Sequence, residues 1–140
     1  MKATLPDKFK ARIGGYLGWS FSVALTPDGL EYTEFAGKFL PVATKILTPS
    51  AARWQAFRHA LEKADVWRWK KEYANPDVAD GTVWEFTCEW DGLEIRTAGS
   101  NAWPGDADPN RTATDPMAES KRFDHFLRAI SELLGGEPFE

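Results

Sequence analysis

One cysteine, two histidines and two methionines are all this chain offers among the side chains that most often bind soft metals or carry redox chemistry. Cys88 has no partner for an intramolecular disulfide, which fits a reducing compartment, and we expect the cytoplasm. No stretch approaches the apolar run that a membrane helix needs, so no membrane partner is expected. The start, MKATLPDKFKARIGG, lacks an apolar segment and does not read as a secretion signal. Basic stripes are missing too. Seventeen Lys and Arg stand against 21 Asp and Glu, a net charge of −4. Only Lys70-Lys71 and Lys121-Arg122 are adjacent, so the phosphate-binding footprint of a nucleic-acid protein is absent.

Catalytic patterns are equally sparse. His59 and His125 sit on different predicted helices, each beside an aromatic core position, and read as surface imidazoles. Cys88 lies on the apolar face of a predicted strand, where a thiol packs as a small hydrophobe. GGYLG, from Gly14, precedes a strand, whereas a phosphate loop must follow one, so it reads as a flexible lead-in. Asp106, Asp108 and Asn110 mimic the start of a calcium loop. Arg111 and Met117 then stand where that loop needs Gly and Glu, and Asx-turns explain the segment better. No metal and no cofactor are expected.

What the chain does have is apolar bulk: 43% hydrophobic residues, with seven Trp and nine Phe in 140 positions. That suffices for one self-supporting domain spanning 1–140. WSFSVAL alternates, with Trp19, Phe21, Val23 and Leu25 on one side. TPDG turns the chain, and LEYTEFAG continues as a second strand with Leu30 opposite Leu25. TVWEFTCEW puts Trp84, Phe86, Cys88 and Trp90 on one face. Asp91-Gly92 then predicts a tight type I′ hairpin turn, with Leu93 opposite Trp90 and Ile95 opposite Cys88. Thr48-Pro49 and Asp115-Pro116 read as helix caps followed by proline. The helices behind them present Trp54, Phe57 and Leu61, and Phe123, Phe126, Leu127, Ile130, Leu133 and Leu134, the second stopping at Gly135-Gly136.

DGLE occurs after each first strand, from Asp28 and from Asp91. RWQAFRHAL from Arg53 also matches RFDHFLRAI from Arg122 in character. The expectation is an α+β fold: a duplicated ββα-ββα unit with repeats at about 16–65 and 80–136. Four or five mainly antiparallel strands would carry both helices on one face, leaving Ser20, Ser22, Thr33, Glu85, Glu89 and Arg96 on the other.

Two segments, 66–75 and 99–115, lie outside the repeat and are where an acquired role is expected. WRWKKEY would be a short extra strand with Trp67 and Trp69 on one face. GSNAWPG is a turn-forming stretch around Trp103. Candidate binding residues are Trp67, Trp69, Tyr73, Ser100, Asn101, Trp103, Asp106 and Asp108; none is assigned as catalytic. The simplest role for Trp103 is to close the core; the functional alternative is an exposed anchor.

Trp69, Tyr73, DGTVWEF from Asp80 to Phe86, GSNAWP, and Phe123 with Phe126 resemble a pattern of small bacterial proteins of unknown function. Their order is W…Y…DG..W…G.NAYP…F..F. The resemblance covers about half the chain, with Trp103 where the pattern often has Tyr. It implies a bacterial domain of unknown function and carries over no catalytic residue. Together these readings favour a non-catalytic interaction module acting on another protein or on itself, with inhibitor or immunity-type proteins as one fitting subclass. The other reading is a small-ligand binder or simple hydrolase with a pocket near 99–105.

Overall fold

Phe9, Ala11 and Ile13 alternate with Lys8, Lys10 and Arg12, and this pattern builds strand β1 (Lys8–Gly14). The computed structural model describes residues 5–15, 18–75, 81–114 and 119–140. The chain continues through β2 (Ser20–Thr26), β3 (Gly29–Ala36), β4 (Leu40–Leu47) and helix α1 (Ala51–Lys63). It then forms β5 (Glu72–Ala74), β6 (Val83–Trp90), β7 (Leu93–Ser100), the short β8 (Trp103–Pro104) and β9 (Thr112–Ala113), and helix α2 (Lys121–Leu133).

The fold is α+β, but the sheet has seven strands rather than four or five, in the order β4-β3-β2-β1-β6-β7-β5. Every pairing is antiparallel except β5 with β7, which is parallel. Three strands escape the repeat reading: β1, β4 and β5. The central strand, β1, ends where the expected lead-in GGYLG begins, at Gly14, and has no place in the repeat. Ile13 sits between Phe21 and Trp84, and Ala11 between Val23 and Phe86, so β1 joins the two predicted hairpins. A duplicated ββα origin is not established by this arrangement.

Both helices cover one face of the sheet. Phe9 meets Trp54 at 5.9 Å and Phe57 at 5.4 Å between ring centroids, while Phe86 meets Phe126 at 4.9 Å. These are edge-on or steeply inclined contacts, which suit the charge distribution of the rings. The helices run antiparallel, since Arg122 at the start of α2 donates to the carbonyl of Ala64 at the end of α1. Leu61 and Ile130 are both fully buried.

Each helix starts later than expected, capped two residues beyond Thr48 and five beyond Asp115. Ser50 Oγ accepts from the Arg53 amide and Ser120 Oγ from the Phe123 amide, each at 3.2 Å. A serine hydroxyl three residues ahead of a free amide satisfies it at short reach, and this outweighs the proline signal at Thr48-Pro49. Asp115-Pro116 lies outside the described residues. Trp19, expected inward, precedes β2 and is 57% exposed. Ser20, expected to stand in water, is buried between its strand neighbours Gly14 and Phe35, with its hydroxyl unpaired. The other open-face residues are where the alternation puts them.

Asp91 and Gly92 both have positive φ, 51° and 80°, as the type I′ turn requires. The first hairpin turns more tightly than the four-residue loop expected: Thr26 already pairs with Gly29. Gly29 has φ 134°, and a Cβ there would lie 2.6 Å from the Leu47 carbonyl oxygen on β4. At Gly92 a Cβ would meet nothing within 4 Å. Gly29→Ala should therefore cost more than Gly92→Ala, about 2 kcal/mol or more against about 1 kcal/mol. Urea unfolding of the two variants checks this, and equal losses would refute the crowding at Gly29.

Candidate functional site

The two segments singled out for an acquired role, 66–75 and 99–114, meet on the structure and fasten to each other. After α1, a 3-10 turn (Val66–Arg68) brings Trp69 inward, where its Nε1 donates to the Ala64 carbonyl at 3.0 Å. Tyr73 on β5 is fully buried; its hydroxyl accepts from the Lys70 amide at 2.9 Å and donates to the Pro109 carbonyl. Burial pushes its phenol up from the ordinary value. Lys70 Nζ reaches Thr112 Oγ1 at 2.6 Å. An extra strand exists, as WRWKKEY suggested, but it is Glu72–Ala74. Trp67 and Trp69 sit in and just after the 3-10 turn instead of sharing a strand face. Trp67 is half-buried under the Arg58 guanidinium, 5.9 Å from its ring.

The segment 99–114 is not a structureless loop. Gly99 and Ser100 finish β7, and β8 pairs with β9. Asn101 turns the chain with φ 52°; its Oδ1 accepts from the Thr82 amide at 3.0 Å, and its own amide donates to the Thr82 carbonyl. Asp108 forms the expected Asx-turn, accepting from the Asn110 amide at 2.9 Å. That bond holds its carboxyl below the usual range. Asp106 accepts from the Arg122 amide at 2.9 Å, and the Arg122 side chain donates to the carbonyls of Gly105, Ala64 and Asp106. Asp106, Asp108 and Asn101 thus each spend one side-chain oxygen on a backbone amide, of Arg122, Asn110 and Thr82 respectively.

The residues that carry the resemblance form one buried aromatic cluster around Trp84. Phe123 lies 4.6 Å from it, Tyr73 5.9 Å and Trp69 6.0 Å, while Trp69 also meets Phe126 at 5.1 Å. Trp84 Nε1 donates to the Ala102 carbonyl at 2.9 Å, and a Cβ on Gly99 would strike that same nitrogen at 2.2 Å. Gly81 and Trp84 of the first motif and G.NAWP are therefore two halves of one packing lock. Trp103 is in the core, 7% exposed and against Phe123, with its Nε1 buried and unpaired.

Of the eight candidates, then, Trp69, Tyr73, Asn101, Trp103, Asp106 and Asp108 converge on structural roles and Trp67 packs half-buried beside them. Ser100 borders a broad trough on the open sheet face, of about 840 Å³. Its charges are of both signs, with Lys8 3.3 Å from Glu89 and Lys10 3.8 Å from Glu85. Cys88 is fully buried, which pushes its thiol up to about 12 and keeps it protonated at neutral pH. Among the described residues, no group of three or more His, Cys, Asp or Glu could hold a metal ion. No helix among them is long and apolar enough to cross a membrane.

A further surface was not anticipated. Among the described residues eight large apolar side chains stand exposed, and four of them lie close together along one edge: Phe39, Leu40, Val42 and Ile46. They lie on β4 and the 3-10 turn leading into it, and every residue of β4 but Leu47 is exposed. The sequence signal was the run LPVATKIL, apolar with no clean alternation, as suits a strand outside the core.

Trp103→Ala should lose about 3–5 kcal/mol, the usual range for emptying a buried aromatic site. Trp103→Phe should lose clearly less, because it also removes the unpaired indole N–H. Thermal or urea unfolding reads both; an unchanged Tm in Trp103→Ala would remove this residue from the core. No protein-family model matches the chain, and no curated protein matches it.

Proposed function

We propose that this chain is a non-catalytic protein-interaction module whose docking surface is the edge of β4. The observation that carries the reading is the clustering of Phe39, Leu40, Val42 and Ile46, each at least 41% exposed, along one outer strand and the turn that leads into it. Soluble proteins scatter single apolar residues over the surface, whereas a row of them along an unpaired edge marks a place where another chain adds. The candidate residues near 99–105 support this indirectly, because Asn101 spends its side-chain oxygen on the Thr82 amide and Trp103 is buried in the core. An inhibitor or immunity-type role, a bacterial and cytoplasmic setting, kinship with the small proteins sharing the W…Y…DG..W order, and no role for nucleic acid belong to the same proposal. So does descent from a duplicated ββα unit. Trp54, Phe57 and Leu61 correspond to Phe123, Phe126 and Ile130 at a constant offset of 69 (123 − 54 = 126 − 57 = 130 − 61), and all six are buried.

A second reading, a small-ligand binder or simple hydrolase, draws on the trough of the open face, where Ser100 and Arg96 face solvent beside Thr87. The two are separated by variants. Val42→Lys with Ile46→Lys should abolish co-purification of a bound protein from source cells while leaving the Tm unchanged. Arg96→Ala with Thr87→Ala should leave it intact. The reverse pattern would move the site to the trough.

A further inference from the structure

We infer that the occupant of the β4 edge is the β4 of a second copy, added antiparallel about a twofold axis through Thr44. This rests on the module reading and names its partner. The two edges of the sheet are unequal. At one end β5 has three residues; at the other β4 has eight, and among the described residues nothing pairs with its outer side. An outer strand of that length offers a ladder of unused amide and carbonyl groups, which an extended chain completes.

Proteins blunt such edges with proline, bulges and charge. Here Pro41 and the bulge at Val42, between the pairs Phe35–Pro41 and Glu34–Ala43, stand at the start of the strand, and 43–47 carries neither. The only charge on β4 is Lys45, which lies opposite Tyr32 on the helix side and is held by Glu137 at 2.7 Å. On the open face the strand carries Thr44 and Ile46, opposite Thr33 and Glu31, with Val42 before them. That face of β4 has no charge to repel another strand.

Symmetry selects the register. Side chains directly opposite in an antiparallel pair share a face, so a twofold axis normal to the sheet must pass through a residue and its copy. With Thr44 on the axis, Val42 meets Ile46 of the other copy twice and Thr44 meets Thr44. Lys45 meets Ala43, so no like charges oppose. β-branched pairs of this kind are favourable cross-strand neighbours. Moving the axis to Lys45 sets lysine against lysine. Moving it to Ala43 draws Pro41, which has no amide to give, opposite Lys45. The Thr44 register avoids the lysine pair and leaves Pro41 opposite Leu47, at the end of the strand.

The test uses the purified full chain. Sedimentation velocity from micromolar to millimolar concentration should show a monomer–dimer equilibrium. Val42→Lys with Ile46→Lys places lysine opposite lysine twice and should weaken the dimer roughly a hundredfold. Val42→Glu with Ile46→Lys restores opposite charges in this register alone and should recover most of that loss. All four substituted side chains are on exposed positions, and an unchanged near-UV circular dichroism spectrum confirms folding. A wild-type chain that stays monomeric at about 1 mM, or a Glu/Lys pair no better than the Lys/Lys pair, overturns the inference. A monomer that still captures another protein through β4 overturns it while leaving the module reading standing; a monomer that captures none removes both.

Discussion

Strand β1 satisfies its backbone on both sides at once, against β2 and against β6, and so unites two hairpins that would otherwise form separate sheets. Its three inward side chains serve the same end. Phe9 touches Trp54 and Phe57 of one helix and Phe86 of the neighbouring strand, while Ala11 and Ile13 are buried on the same face. A small residue at Ala11, flanked in the ladder by Val23 and Phe86, leaves room for larger neighbours. The outward side chains, Lys8, Lys10 and Arg12, keep the opposite face wet. Arg12 lies over the rings of Phe35 and Phe39, 5.7 and 4.9 Å from their centroids, and links the centre of the open face to its β4 side.

A second knot lies at the other end of the helices. Trp84, Trp69, Tyr73, Trp103, Phe123 and Phe126 pack together, and Arg122 laces the surrounding carbonyls. The carbonyl of Ala64 accepts from both Trp69 and Arg122, so the last turn of α1 is closed by the segments that follow it. The segments 66–75 and 99–114 thereby complete the core, and the backbone of 99–114 has little freedom left for recognition. The proposed docking surface is instead β4, a long strand that among the described residues is paired on one side.

Much of this was legible in the sequence where one residue type had one physical job. Alternation set the faces of β2 and β6; Asp91-Gly92 set its turn; the spacing of Trp54, Phe57 and Leu61 set the buried side of α1. Legibility failed where the deciding partner was distant. The run around Phe9 alternates as well as any, but its charged neighbours and position near Gly14-Gly15 hid that two hairpins await it. Ser50 and Ser120 lost to Thr48-Pro49 and Asp115-Pro116 because several residues could begin each helix, and packing decides among them. Trp67, Asp106 and Asp108 looked like surplus chemistry for want of their partners: the Arg58 guanidinium, the Arg122 amide and the Asn110 amide. The exposed β4 carried no periodic signal, since neither of its faces is buried.

The concentration of indoles in the two knots has an optical consequence. Trp54 and Trp90 meet at 5.8 Å and 84°, and Trp69 and Trp84 at 6.0 Å and 82°. Chromophores this close and inclined couple their transitions, so each knot imprints its own chiral signature on the circular dichroism spectrum. Trp54–Trp90 reports the seating of α1 on the sheet, and Trp69–Trp84 reports the closure of the inserted segments. Trp19, out in water, belongs to neither pair and emits as a solvated indole. The chain thus carries separate native gauges for its two halves, and loosening of one half should show without attaching any label.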